Sequence, residues 1–223
     1  MRSGKRRRDI GLLLGAAALF ALPMGSARAQ TTLPSADIID KLGVETEADI
    51  DVPALRQLAA DRVKAKADPQ PQKRPPIAPQ LSRMPQIRFD VVFDPDSALV
   101  RPASYQMIGA LADALADPKM RPYRYLIVDH TESAGRRDFN LTLSQRRADS
   151  IRDVLVTAFK ISSKRLQALG LGEEQLQDAN KPGSPANARL QIMTVGLMES
   201  VDPAKPATPA APQKGAAAKK KKR

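Results

Sequence analysis

Apolar and polar positions along the chain follow changing rhythms, and each rhythm predicts an element. Ile87, Phe89 and Val91 alternate, the period of a half-buried strand. Arg101-Pro102 opens a helix in which Ile108, Leu111, Ala112 and Leu115 recur at helical spacing, and Asp117-Pro118 stops it. Tyr125-Leu126-Ile127-Val128 is a short apolar run that reads as a central strand. A polar loop, Thr131 to Asp138, follows. Ser144 is expected to cap a second helix, with Ile151, Val154, Leu155, Ala158 and Phe159 as its core stripe. Leu166 to Gly172 reads as a third strand and Asp178 to Pro185 as a loop. Leu190, Ile192 and Thr194 then alternate with Gln191, Met193 and Val195 in a last strand. The order β-α-β-α-β-β over residues 86–198 predicts an α+β fold, with two helices packed on one face of a small mixed sheet.

The flanks have a different texture. In residues 30–85, Ser35 suits the start of a short helix through Leu42, stopped by Gly43. Asp51 with Pro53 opens another, whose Leu55, Leu58, Ala59 and Val63 share a face. Asp68 to Pro85 is proline-rich and is expected to be extended linker, so 30–85 reads as a helical spacer followed by a linker. No alternation over ten-residue segments is present there, so no membrane β-barrel is expected ahead of the domain. Residues 1–29 have the order of an export signal: Arg2, Lys5, Arg6, Arg7 and Arg8, then the apolar run Ile10 to Met24, then Ala27-Arg28-Ala29. The run is shorter than the ~20 residues of a membrane span, which favours a cleaved signal and a periplasmic or outer-membrane-associated protein. The alternative is an uncleaved inner-membrane anchor. Residues 199–223 are Pro/Ala/Lys-rich and are expected to be disordered.

Charge and composition narrow the function. The net charge is +12, but residues 1–29 carry +5, residues 201–223 carry +6 and the middle only +1. The basicity therefore belongs to the ends, and no nucleic-acid partner is expected. The tail, ending Lys219 to Arg223, has no aromatic residues for base stacking. It reads either as plainly solvated or as a contact for anionic envelope polymers or lipid headgroups. The chain has no cysteine, which excludes disulfides, thiolate metal sites and a lipidated cysteine. His130 is the only histidine, so no zinc site is expected. Glu173-Glu174 reads as a solvated turn. No nucleophile–base pair, phosphate loop or metal set is present, so no enzyme activity and no cofactor are expected.

Five pieces in order carry a resemblance. Phe93-Asp94-Pro95-Asp96-Ser97-Ala98 precedes Arg101-Pro102, and Asp129-His130-Thr131-Glu132 precedes Gly135. Asn140 to Ala148 reads NLTLSQRRA, Arg165-Leu166 leads to Gly170-Leu171-Gly172-Glu173, and Asn187-Ala188-Arg189-Leu190-Gln191 closes the set. Together they resemble the OmpA-like peptidoglycan-associating domains. The resemblance implies non-covalent binding of the diaminopimelate side chain of the peptidoglycan stem peptide, to tether or organise the cell wall. An acid that closes the second strand would hold the ammonium, and an arginine of the following helix the carboxylate. Here these are Glu132 and Arg147. Asn140 would support the loop and bond the ligand, and Thr131 and Leu143 complete the expected ligand-binding set. Glu132 stands where the family has Asp, Asp129 where it has Gly and Ala188 where it has Arg. The alternative is a degenerate scaffold that keeps the fold without the ligand.

The residues suit the clamp on physical grounds too. Arg147 is expected in the first turn of its helix, where free N–H groups and the positive dipole end attract a carboxylate and a guanidinium can grip it with two bonds. A plain surface ion pair between Glu132 and Arg147, worth about 1 kcal/mol or less, is the simpler use of the same residues.

Overall fold

The structure, a computed structural model, describes residues 33–48, 50–65 and 70–198; the expected export signal and basic tail lie outside them. Four strands form one mixed sheet in the order β1-β4-β2-β3. β1 (Gln86–Phe89) pairs antiparallel with β4 (Arg189–Leu197), which pairs antiparallel with β2 (Tyr123–His130). β2 pairs parallel with β3 (Leu166–Gly172), a geometry that needs a crossover. The crossover is α4 (Arg137–Thr157), which packs with α3 (Tyr105–Ala116) on one face. Tyr125, Ile127, Ala168 and Ile192 of the sheet meet Ile108, Leu111 and Leu115 of α3 and Ile151 and Leu155 of α4.

The opposite face is covered as well. Leu126, Val128, Leu169, Met193 and Val195 lie beneath Val52, Leu55 and Ala59 of α2 (Val52–Lys64) and beneath Ile77, Ala78, Leu81 and Met84. β2 is thus buried on both sides, which is why its sequence is a continuous apolar run rather than an alternation.

The flank behaves differently from an extended spacer. α1 (Ser35–Leu42) inserts Ile38 and Leu42 into the main core at 0% exposure. The proline-rich stretch is not extended: it forms 3-10 turns at Pro71–Lys73 and Pro79–Arg83 and lays its apolar residues on the sheet. Proline lacks an N–H to satisfy, so such a segment can cover an apolar surface without joining a ladder. Leu58, expected on the buried face of α2, points outward.

α4 begins at Arg137, not at Ser144. Ser144 lies inside the helix, where its hydroxyl donates to Leu141 O and accepts from Gly172 N at 2.8 Å. Phe159, expected in the core stripe, lies past the helix end and is exposed.

The contact between α4 and β3 is made backbone to backbone. A Cβ at Gly170 would stand 2.1 Å from Gln145 N, and one at Gly172 2.9 Å from Leu141 N. β3 is an edge strand, yet four of its backbone polar groups are met by side chains. Arg152 Nε donates to Leu166 O and Arg56 Nη2 to Ala168 O, while Gln145 Oε1 and Ser144 Oγ accept from Gly170 N and Gly172 N. An edge covered in this way is a poorer template for another strand.

Gly170→Ala forces α4 away from the sheet and should cost about 3 kcal/mol in urea unfolding. A loss below about 0.5 kcal/mol would show that the helix yields freely.

Candidate functional site

The site grows from the carboxyl end of β2, where Asp129, His130 and Thr131 are buried. The chain then turns through Glu132 to Gly135, whose φ of 77° suits glycine. Asn140, in the first turn of α4, reaches back over this turn. Its Nδ2 donates to Ala134 O at 2.9 Å, to Glu132 O at 3.4 Å and to Glu173 Oε2 at 2.9 Å. Its amide donors are thereby committed to holding the loop, the supporting part of the role expected for it.

Glu173 and Glu174 are not the solvated turn the sequence suggests: they are 5% and 2% exposed. Arg74, from the proline-rich segment, donates to Glu173 at 2.8 Å, and Arg137 grips Glu174 with Nε and Nη2, each at 2.5 Å. Burial of two acids is tolerable because each is met by a guanidinium. From the other side, Asn187 ties the 176–187 loop. Its Oδ1 accepts from Gln177 N and Asp178 N, and its Nδ2 donates to Asp178 O, Lys181 O and Pro182 O. Pro182 O in turn accepts from Ser133 N.

Arg147 lies in the third turn of α4, about 15 Å along the axis from the helix start, so the expected help from free helix N–H groups and the dipole does not apply to it. It has a different seat. Its Nε donates to Ser97 O at 2.9 Å, and its guanidinium carbon lies 4.9 Å from the centre of the Phe93 ring, within cation–π range. The 93–101 turn that carries both is itself closed by Arg101 Nε donating to Asp94 Oδ1 at 2.7 Å. Nη1 and Nη2 of Arg147 make no bond among the described residues. The Glu132 side chain likewise has no hydrogen bond or ion pair among them, so the surface ion pair does not form. Both residues are half-buried. Leu143, one turn before Arg147, is buried at 7% exposure.

Phe93 and Ser97 are the functional positions that residue-by-residue reading missed. Their motif was visible, but nothing local marked it as the seat of a distant arginine.

Three buried groups near this end have no hydrogen-bond partner among the described residues: Asp129 Oδ2, Thr131 Oγ1 and both ring nitrogens of His130. Burial pushes the Asp129 carboxyl well above the usual carboxylate range, against the pull of Arg147 and then Arg189. Burial, and then the charge of Arg189, hold the His130 imidazole well below its ordinary value. The Gln191 carboxamide is outside bonding geometry and opposes this only weakly.

The element order and the mixed sheet make an α+β domain with a braced loop at the end of its central strand. Residues 92–189 match the sequence profile of the OmpA family. The chain is 34% identical over 116 residues to outer membrane porin F of Pseudomonas aeruginosa, covering 51% of this chain and 32% of the porin. It is 32% identical over 85 residues to the peptidoglycan-associated lipoprotein of Brucella melitensis, covering 38% of this chain and 49% of the lipoprotein. Among solved structures, an outer membrane protein of Borrelia burgdorferi is 27% identical with a TM-score of 0.40, covering 48% of this chain and 86% of that one. The chain thus spans from a third to a half of the length of these two curated relatives.

The two buried groups make opposite pH demands. Asp129, with its folded pKa raised, contributes stability that is full below its ordinary value of 3.8 and is lost as pH rises through the folded value. His130, with its folded pKa lowered, contributes stability that is present above 6.5 and lost as pH falls towards the folded value. Denaturant curves should therefore show Asp129→Asn gaining on the wild type between pH 4 and pH 8. His130→Gln should flatten the loss on the acid side. Curves parallel to wild type in both variants would mean that neither group is held as described.

Proposed function

We propose that this domain binds peptidoglycan non-covalently, by clamping the zwitterionic head of a diaminopimelate side chain between Glu132 and Arg147. The observation that carries this reading is that Glu132 and Arg147 are both half-buried and neither forms an ion pair among the described residues. Glu132 has no cation of its own among the described residues. Arg147 is fixed through Nε and its ring contact while its two terminal nitrogens stay available. A carboxylate set against those nitrogens would gain two charge-assisted bonds to an already oriented guanidinium, with little ordering cost. The ligand ammonium would meet the Glu132 carboxylate. Thr131 supplies a hydroxyl without a partner, and Leu143 an apolar wall. Asn140 acts by holding the loop.

Burial disfavours the charge of Asp129, which weakens its claim on Arg147 beside a ligand carboxylate. The clamp needs neither a base nor a metal, so the role is binding rather than catalysis. The family match and relatives named as an outer membrane porin and a peptidoglycan-associated lipoprotein support a place in the cell envelope. Residues 1–29 would direct export to the periplasm or the outer membrane, and the basic tail would add contacts to anionic polymers or lipid headgroups.

Purified full chain should pellet with isolated sacculi. Arg147→Ala should weaken that binding on the order of 10–100-fold, with Glu132→Gln intermediate. Equal pelleting by Arg147→Ala would remove the clamp. Saturable NMR shifts across Thr131 to Ala148 on adding diaminopimelate-containing peptide would place the ligand directly, and their absence would leave a scaffold.

A further inference from the structure

We propose that a groove on the α2 side of the sheet is a second subsite for the same polymer, taking a free backbone carboxylate of the stem peptide. The proposal rests on the peptidoglycan reading above but not on its clamp. The groove has a volume of about 480 Å3. Its floor is apolar, through Leu81 and Met193, and is continuous with the core beneath α2. Its only charged lining residues are two cations, Arg88 of β1 and Arg189 of β4.

Neither cation is neutralised inside the groove. Arg189 donates only to neutral acceptors: Gln191 Oε1 at 3.1 Å, Asn187 O at 3.1 Å and Gln175 O at 3.0 Å. Arg88 has one acid, Asp90, which is exposed and is not part of the lining. Burial, and then the charge of Arg88, draw Arg189 down to about 10. An anion between the two guanidiniums would relieve both.

The neutral lining is already oriented for such a guest. Gln191, which accepts from Arg189, donates to Gln86, and Gln86 donates to Leu81 O and Ser82 O. Gln177 adds a carboxamide without a bond among the described residues. Planar guanidiniums and carboxamides match a planar carboxylate and its flanking peptide groups, and the apolar floor suits a short side chain. No aromatic ring lines the groove for a sugar to stack on. Most of its wall, from Pro76 to Arg88, with Gln191 and Met193, lies outside the 92–189 family match. The groove is therefore built jointly by β1, β4, the 175–177 loop and the proline-rich segment ahead of β1.

The test titrates 15N-labelled full chain with the stem tripeptide L-alanyl-γ-D-glutamyl-diaminopimelate and with its form amidated at the glutamyl carboxylate. The free acid should give saturable shifts at Arg88, Gln177, Arg189 and Gln191, and the amide none there. Arg88→Gln should weaken that response about tenfold or more and leave the Thr131–Ala148 shifts in place. Arg147→Ala should do the reverse, so failure of the groove and failure of the clamp read separately. Arg189 also holds backbone, so Arg189→Lys is scored only if its spectrum elsewhere is unchanged, and Arg88→Gln decides alone otherwise. Absence of groove shifts, equal response to the amide, or groove shifts that vanish in Arg147→Ala would overturn the proposal. So would a stronger response to an ordinary L-peptide with a free C-terminus, which would assign the groove to a protein partner.

Discussion

α4 rests on the backbone of β3 at Gly170 and Gly172, and the rest of the domain takes its position from that contact. Gly170 and Gly172 leave no Cβ to hold the helix off. Ser144 and Gln145 fill the same contact with hydrogen bonds to the strand. In an interior packed to crystal-like density, such a contact fixes where every later residue of the helix emerges. Arg147 therefore reaches the Phe93–Ser97 turn, and Asn140, at the other end, reaches the loop that leaves β2. The two halves of the candidate clamp are placed by one helix on one strand.

Polar groups are handled in two ways around this frame. Several away from the clamp are saturated: Glu173 and Glu174 with Arg74 and Arg137, Asn187 with five backbone groups, Arg165 with the carbonyls of Leu115, Met120 and Tyr123. At the end of β2 they are left open, with Asp129, His130 and Thr131 buried without partners and Glu132 unpaired. Buried unsatisfied groups are costly, so their concentration at one strand end beside an oriented guanidinium is informative.

Much of this was readable in the sequence where the signal was local. The apolar run of β2, the limits of β3 and the Asp117-Pro118 stop of α3 each depend on near neighbours, and each lies where expected. The fold family was legible because five short motifs stood in order. What failed depended on distant partners. Ser144 resembled a cap because a capping hydroxyl and one that bonds an adjacent strand look alike in one dimension. The start of α4 was hidden because Arg137-Asp138-Phe139-Asn140 shows no apolar period. Glu173-Glu174 looked solvated because Arg74 is remote in sequence. The proline-rich stretch looked extended because proline content outweighed the apolar Ile77, Leu81 and Met84. Glu132 and Arg147 were identifiable by motif, whereas the seat of Arg147 on Phe93 was not.

The placement of α1 has a mechanical consequence. Ile38 and Leu42 lie fully enclosed in the core that α3 helps to build, and residues 77–84 are fastened to the far face of the sheet. Tension applied to the chain at Leu33 therefore bears first on a helix seated in the core.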